Sequence, residues 1–137
     1  MTLNIQLLFP LLITSIITMF GWFILHKLGQ KRDLENKRKD LRITYLIEAW
    51  KKLEYASNRE LNELEFIEYI ENSIALIQLF GTTNQIILAK NIADDMKKTT
   101  ITSLDLILED LRDDLRNELN LEKLNRKMVF VRYKKKI

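Results

Sequence analysis

Cysteine is absent from the chain, histidine and proline occur once each, and glycine three times. Without cysteine there is no disulfide framework, no thiol nucleophile and no thiolate site for zinc or an iron–sulfur cluster. The absence also fits a reducing compartment. Turn residues this scarce exclude a fold built on many tight hairpins, and a long flexible linker as well. Three isolated glycines do not assemble a phosphate-cradling loop. His26 stands at the edge of an apolar run with no acid beside it, which suits an interfacial spacer better than a catalytic base. No Glu-x-x-His pattern occurs to place metal ligands on one helix face. Enzymatic chemistry therefore finds no residues to carry it, and no cofactor or metal is expected.

What is present is mostly Leu, Ile, Glu, Lys and Asn, distributed unevenly along 137 residues. Residues 26–42 carry seven Lys/Arg against three acids, and residues 43–122 carry eight against sixteen. Residues 123–137 carry seven and no acid. The net charge of +3 thus hides an acidic body between two basic ends, and the whole-chain pI does not point to nucleic acid as a partner.

No side chain is charged before His26. The run opening at Ile5 and closing at Leu25 has 21 residues, ~31 Å as a helix, which matches the hydrocarbon thickness of a bilayer. A cleaved signal peptide would need a basic leader, a shorter apolar core and a small-x-small cleavage site. Nothing basic precedes the run, and its end, Gly21-Trp22-Phe23-Ile24-Leu25, offers no small pair, so an anchor is expected. Lys27, Lys31, Arg32, Lys37, Arg38, Lys39 and Arg42 all follow the span. The positive-inside rule then places the body in the cytoplasm and the N-terminus outside. Trp22 suits the inner headgroup boundary, and Pro10 lies in the first turns, where a missing N–H costs least. Thr14 and Thr18, four apart, with Gly21 nearby, loosely fit a small-residue packing seam between spans. Their hydroxyls can equally bond back to their own helix.

Beyond the span, helical periodicity predicts an all-α domain: an antiparallel bundle whose first helix, roughly 31–56, continues from the anchor. Ser57-Asn58 reads as a break, with Asn58 capping a second helix over 59–79 whose stripe is Leu61, Leu64, Ile67, Ile70, Ile74 and Ile77. Gly81 is expected to stop that helix in a left-handed conformation. Thr82-x-x-Gln85 is a capping box for a third helix over 83–98, with Ile86, Ala89, Ala93 and Met96 facing inward. Ser103 would cap a fourth, with Leu104, Ile107, Leu108, Leu111, Leu115 and Leu119 on its apolar face. The domains expected are an anchor over 1–28, a helical domain over 29–122 and a basic tail over 123–137.

Tyr45-Leu46-Ile47-Glu48-Ala49-Trp50-Lys51-Lys52-Leu53-Glu54, with Ser57-Asn58-Arg59 and Ile77-Gln78-Leu79-Phe80-Gly81-Thr82, resembles a group of small bacterial membrane-anchored proteins of uncharacterised function. That resemblance implies a bacterial inner-membrane setting and no particular chemistry.

Three polar features invite a functional reading. Arg59, beside Asn58, has the fork geometry to bind a carboxylate or phosphate, although a turn with a capping Asn is the simpler account. The acids Glu63, Glu68 and Glu71, and Glu109, Asp110, Asp113 and Asp114, read as solvated helix faces, the second interleaved with Arg112 and Arg116. In the tail, Met128-Val129-Phe130-Val131-Arg132-Tyr133 alternates as a strand does and precedes Lys134, Lys135 and Lys136. A tethered basic tail gains from anionic lipid, which makes Arg132 and the three lysines candidate lipid contacts against a plain solubilising tail. Together these features favour a membrane-anchored helical interaction module that recruits or assembles with a protein partner, homo-oligomers included. The alternative is a small membrane effector, of toxin or defence type, whose oligomerised spans disturb the bilayer.

Overall fold

The structure, a computed structural model, describes residues 5–98 and 103–129, with residues 5–7 described as helical backbone only. Within these residues the chain is all-helical. Four helices follow one another: α1 (Ile5–Asn58), α2 (Glu63–Phe80), α3 (Thr83–Lys98) and α4 (Asp105–Glu118). Two compact units divide between Lys39 and Asp40.

The first unit holds the N-terminal part of α1 alone. From Leu8 to Leu28 its large apolar side chains are 40–72% exposed, and none of the apolar window is buried. This is the one stretch among the described helices long and apolar enough to cross a membrane, with a mean hydropathy of 2.1. Thr14 and Thr18 donate their hydroxyls to Pro10 O and Thr14 O at 3.0 and 2.7 Å, and Ser15 donates to Leu11 O at 2.9 Å. Each polar group is thereby satisfied within its own helix.

The second unit closes a core of its own. Leu46, Ala49, Leu53 and Ala56 of α1 meet Ile70 and Ile77 of α2, Ala89 and Ile92 of α3, and Leu104, Ile107, Leu108, Leu111 and Leu115 of α4 and its cap. Small residues let backbones approach: buried Ser73 on α2 donates to Ala49 O of α1 at 3.3 Å and to Tyr69 O of its own helix at 2.7 Å. Trp50 places its ring against the core and donates Nε1–H to Leu108 O at 3.2 Å. Tyr45 and Phe80 stack with centroids 4.6 Å apart.

Helix ends account for most departures from expectation. Asn58 does not cap α2. It is the last residue of α1, its amide engaged with Glu54 one turn back. The cap is Asn62, whose Oδ1 accepts Glu65 N–H at 2.9 Å, with Glu63 and Glu65 placed favourably in the first turn. Gly81 is not left-handed; its φ of −76° and ψ of 163° are extended. Glycine is required there for a different reason, since a Cβ would lie 2.5 Å from Ile77 O. The capping box forms as expected: Thr82 Oγ1 accepts Gln85 N–H at 3.3 Å, and Gln85 Oε1 accepts Thr82 N–H at 2.8 Å. Ser103 Oγ accepts Asp105 N–H at 3.3 Å, but the residue in the cap position is Leu104.

The left-handed helix stop occurs instead at Asn120, with φ 54°. Leu121 N–H bonds Arg116 O at 2.8 Å and Asn120 N–H bonds Asn117 O at 3.0 Å, the paired bonds of a Schellman motif. This reversal sends residues 121–128 back along α4.

Candidate functional site

Polar chemistry in the second unit concentrates on α4. Arg42 of α1 reaches three groups at once: Phe80 O at the C-terminus of α2 (3.0 Å), Glu118 (2.8 Å) and Asp114 (2.6 Å). Its side chain is 24% exposed and those of its partners 18% and 22%, so solvent screens these bonds only in part. A guanidinium suits this post because its rigid fork serves several acceptors. It also offers positive charge to a helix C-terminus. Gln85, fully buried, completes the arrangement by donating Nε2–H to Asp114 at 3.0 Å while its Oε1 holds Thr82.

Beside this cluster lies an open cavity of about 400 Å³, lined by Thr82, Gln85, Asp110, Asp113, Asp114, Asn117, Leu121 and Lys123. Its carboxylates already have partners. Asp114 is held by Arg42 and Gln85, Asp110 by Asn84 at 2.7 Å, and Asp113 by Arg112 at 2.9 Å and Lys123 at 3.9 Å. Among the described residues no group of three or more His, Cys, Asp or Glu side chains is placed to hold a metal ion. Chemically, the arrangement links helices rather than presenting a nucleophile to a base.

The α4 acids and arginines are not simply a solvated face. Arg116 Nε donates to Glu122 O at 2.8 Å, and Arg112 donates to Leu124 O and Arg126 O at 3.3 and 2.8 Å. Glu109 accepts Met128 N–H at 3.2 Å, and Met128 packs against the core. These bonds descend α4 as the chain ascends, so residues 121–128 form a strap antiparallel to the helix. The beginning of the sequence-defined tail therefore belongs to the folded unit. Arg132, Lys134, Lys135 and Lys136, and most of the strand-like stretch, lie outside the described residues.

Arg59 is exposed, with its guanidinium 4.7 Å from the Tyr55 ring centroid, and Tyr55 in turn lies 5.1 Å from Tyr69. Ser57 Oγ and Asn58 Oδ1 are shielded from solvent without a hydrogen-bond partner. The structure thus brings Arg59 to aromatic rings rather than to a carboxylate. Ile5, Pro10, Thr14, Thr18, Gly21, Trp22 and Leu25 all belong to α1 in the first unit, where Trp22 stacks on His26 at 5.4 Å. Sequence reasoning missed Arg42, Asp114 and Glu118 as a cluster, because their partnership spans more than 70 residues and no local pattern encodes it.

No protein-family model matches the chain, and neither does any curated protein or solved structure.

Proposed function

We propose that the chain is a single-pass membrane protein whose acidic helical body, a small antiparallel bundle, faces the cytoplasm and docks a protein partner. One observation carries the reading. Residues 8–28 present apolar side chains on every side of α1, while the second unit buries its own core without them. A contiguous apolar surface of that extent far exceeds what a monomer keeps in water, and lipid tails satisfy it. The basic residues from Lys27 to Arg42 on one side of the run support the orientation. For the partner, α2 offers exposed Glu63, Glu65, Glu68 and Glu71 with Leu64 81% exposed among them. Such a mixture of acid and isolated apolar side chain suits a protein surface better than a small ligand. The resemblance noted above suggests a bacterial inner membrane.

The effector alternative needs Thr14, Thr18 and Gly21 as a small-residue packing seam between spans, to which free hydroxyls could add bonds across the helices. Engagement of both hydroxyls with their own carbonyls leaves that seam less to offer, so the module is preferred. Fractionation with alkaline carbonate extraction tests the anchor: the full chain is expected in the membrane pellet, and a soluble protein would refute it. A C-terminal topology reporter is expected to report cytoplasm. Cross-linking in mild detergent should capture a stoichiometric protein partner. Membrane depolarisation on expression, lost on Thr14→Leu and Thr18→Leu, would favour the effector instead.

A further inference from the structure

Exposed basic side chains of α1 inside the first unit form a pattern that orientation alone does not require. Lys27 and Lys31 fall within about 40° of one another on a helical wheel, and Arg32 follows Lys31 directly. Asp33 lies on the far side, and the other acid, Glu35, stands 3.9 Å from Lys31 as an exposed i,i+4 pair. Just before them Trp22 stacks on His26, and Gln30 and His26 are hydrogen-bonded at 3.1 Å. Lys27 lies 5.0 Å over the Phe23 ring. An aromatic turn of this kind settles at headgroup depth and so fixes how far each following charge stands from the hydrocarbon.

We infer that Lys27, Lys31 and Arg32 form an anionic-lipid contact that gathers acidic phospholipid headgroups around the emerging helix, an inference that rests on the anchor reading above. At 1.5 Å per residue these three rise ~3, ~9 and ~10 Å beyond Leu25. A headgroup layer of ~5–8 Å per leaflet and a Debye length of ~8 Å bring all three into its field. Lys37, Arg38 and Lys39 rise ~18–21 Å and lie beyond it. Flexible stems let Lys27 and Lys31 reach back toward phosphate while their methylenes cover apolar surface. Charge complementarity selects the occupant: the segment carries net positive charge, exposed and next to the span, and the surface nearest to it in the proposed topology is lipid phosphate.

The test uses the full-length chain in nanodiscs containing a minor fraction of bromine-labelled lipid, with Trp22 fluorescence as the readout and Trp22→Phe supplying the Trp50 baseline. Brominated phosphatidylglycerol is expected to act as if enriched about two- to five-fold over brominated phosphatidylcholine at low salt. The two should become equal near ~1 M salt, where screening shortens to ~3 Å. Lys27→Gln, Lys31→Gln and Arg32→Gln together should abolish the preference. Lys37→Gln, Arg38→Gln and Lys39→Gln together should keep most of it. Lys27→Arg with Lys31→Arg should preserve it as well, which separates lost charge from a disturbed helix. Equal quenching by both lipids in the unmodified chain would overturn the lipid contact while leaving the anchor intact. A preference that survives the first triple variant, or falls equally in both, would overturn the assignment to these residues. Quenching by neither lipid would overturn the anchor reading itself.

Discussion

Residues 8–28 and residues 43–56 lie on the same helix and are both rich in Leu and Ile, yet the first stretch exposes them and the second buries them. The second stretch interleaves Glu48, Lys51, Lys52 and Glu54, which confines its apolar side chains to part of the helix surface and leaves the rest to water. That surface meets α2 and α4 through Leu46, Ala49, Leu53 and Ala56. The first stretch has no charged residue before Lys27, and none of its apolar window is buried. Burial is therefore set by the available partner surface, and hydropathy sets only the demand for one. A helix apolar all round demands burial on every side, and the second unit supplies none of it.

Four substitutions, three of them paired with a control variant, break or sharpen this contrast. The largest effect is expected from Leu108→Ala, which opens a cavity in the core and should cost about 2–5 kcal/mol in denaturation followed by Trp50 fluorescence. Leu12→Ala, in the exposed stretch, should leave that transition unmoved; an equal loss would erase the distinction between the two stretches. Next comes Ile16→Asp, a charge midway along the proposed span, which should oppose insertion by about 2.5–3.5 kcal/mol and shift the protein out of the carbonate-resistant fraction. The second unit's melting should not change.

Arg42→Ala acts where the buried stretch begins. It removes the shared partner of Asp114, Glu118 and Phe80 O, and a loss of about 1–3 kcal/mol is expected in the same unfolding assay. Arg42→Lys should recover only part, because a point charge does not reproduce the fork. A loss below a few tenths would show that water replaces these bonds freely. The smallest effect belongs to Asn62→Ala, about 1 kcal/mol through the lost cap of α2, with Asn58→Ala costing less. The reverse ranking would place the start of α2 at the end of α1 after all.

Legibility followed the locality of the interaction. The range of α3, 83–98, could be read because its capping box lies within four residues of sequence. Leu104, Ile107, Leu108, Leu111 and Leu115 could be read as a buried stripe because α4 packs on a single side. On α3, Ala89 is buried and Met96 packs against the core as the pattern indicates, whereas Ile86 is exposed, Ala93 is half-buried, and Gln85 and Ile92 are the other buried positions. Gln85 goes inside because Thr82 and Asp114 satisfy both ends of its amide, and a distant carboxylate has no signature in local hydropathy. On α2, Leu64 is exposed and polar Ser73 buried, since the contact with Ala49 admits only a small side chain.

The candidate site was less legible than the fold. Arg112 and Arg116 look, in sequence, like partners for the neighbouring acids of α4. Arg112 does pair with Asp113, but both arginines also bind carbonyls of residues 122–126, because Asn120 takes the left-handed conformation that turns the chain back.

Sequence by itself determined the all-helical class, the uncharged run ending at Leu25 and its basic flank, because these follow from composition and from interactions spanning a turn or less. Tertiary structure alone decided that Arg42 joins α1 to α2 and α4, and that residues 121–128 strap α4. Those outcomes depend on surfaces tens of residues apart meeting in space, and no helical period or local propensity records such a meeting.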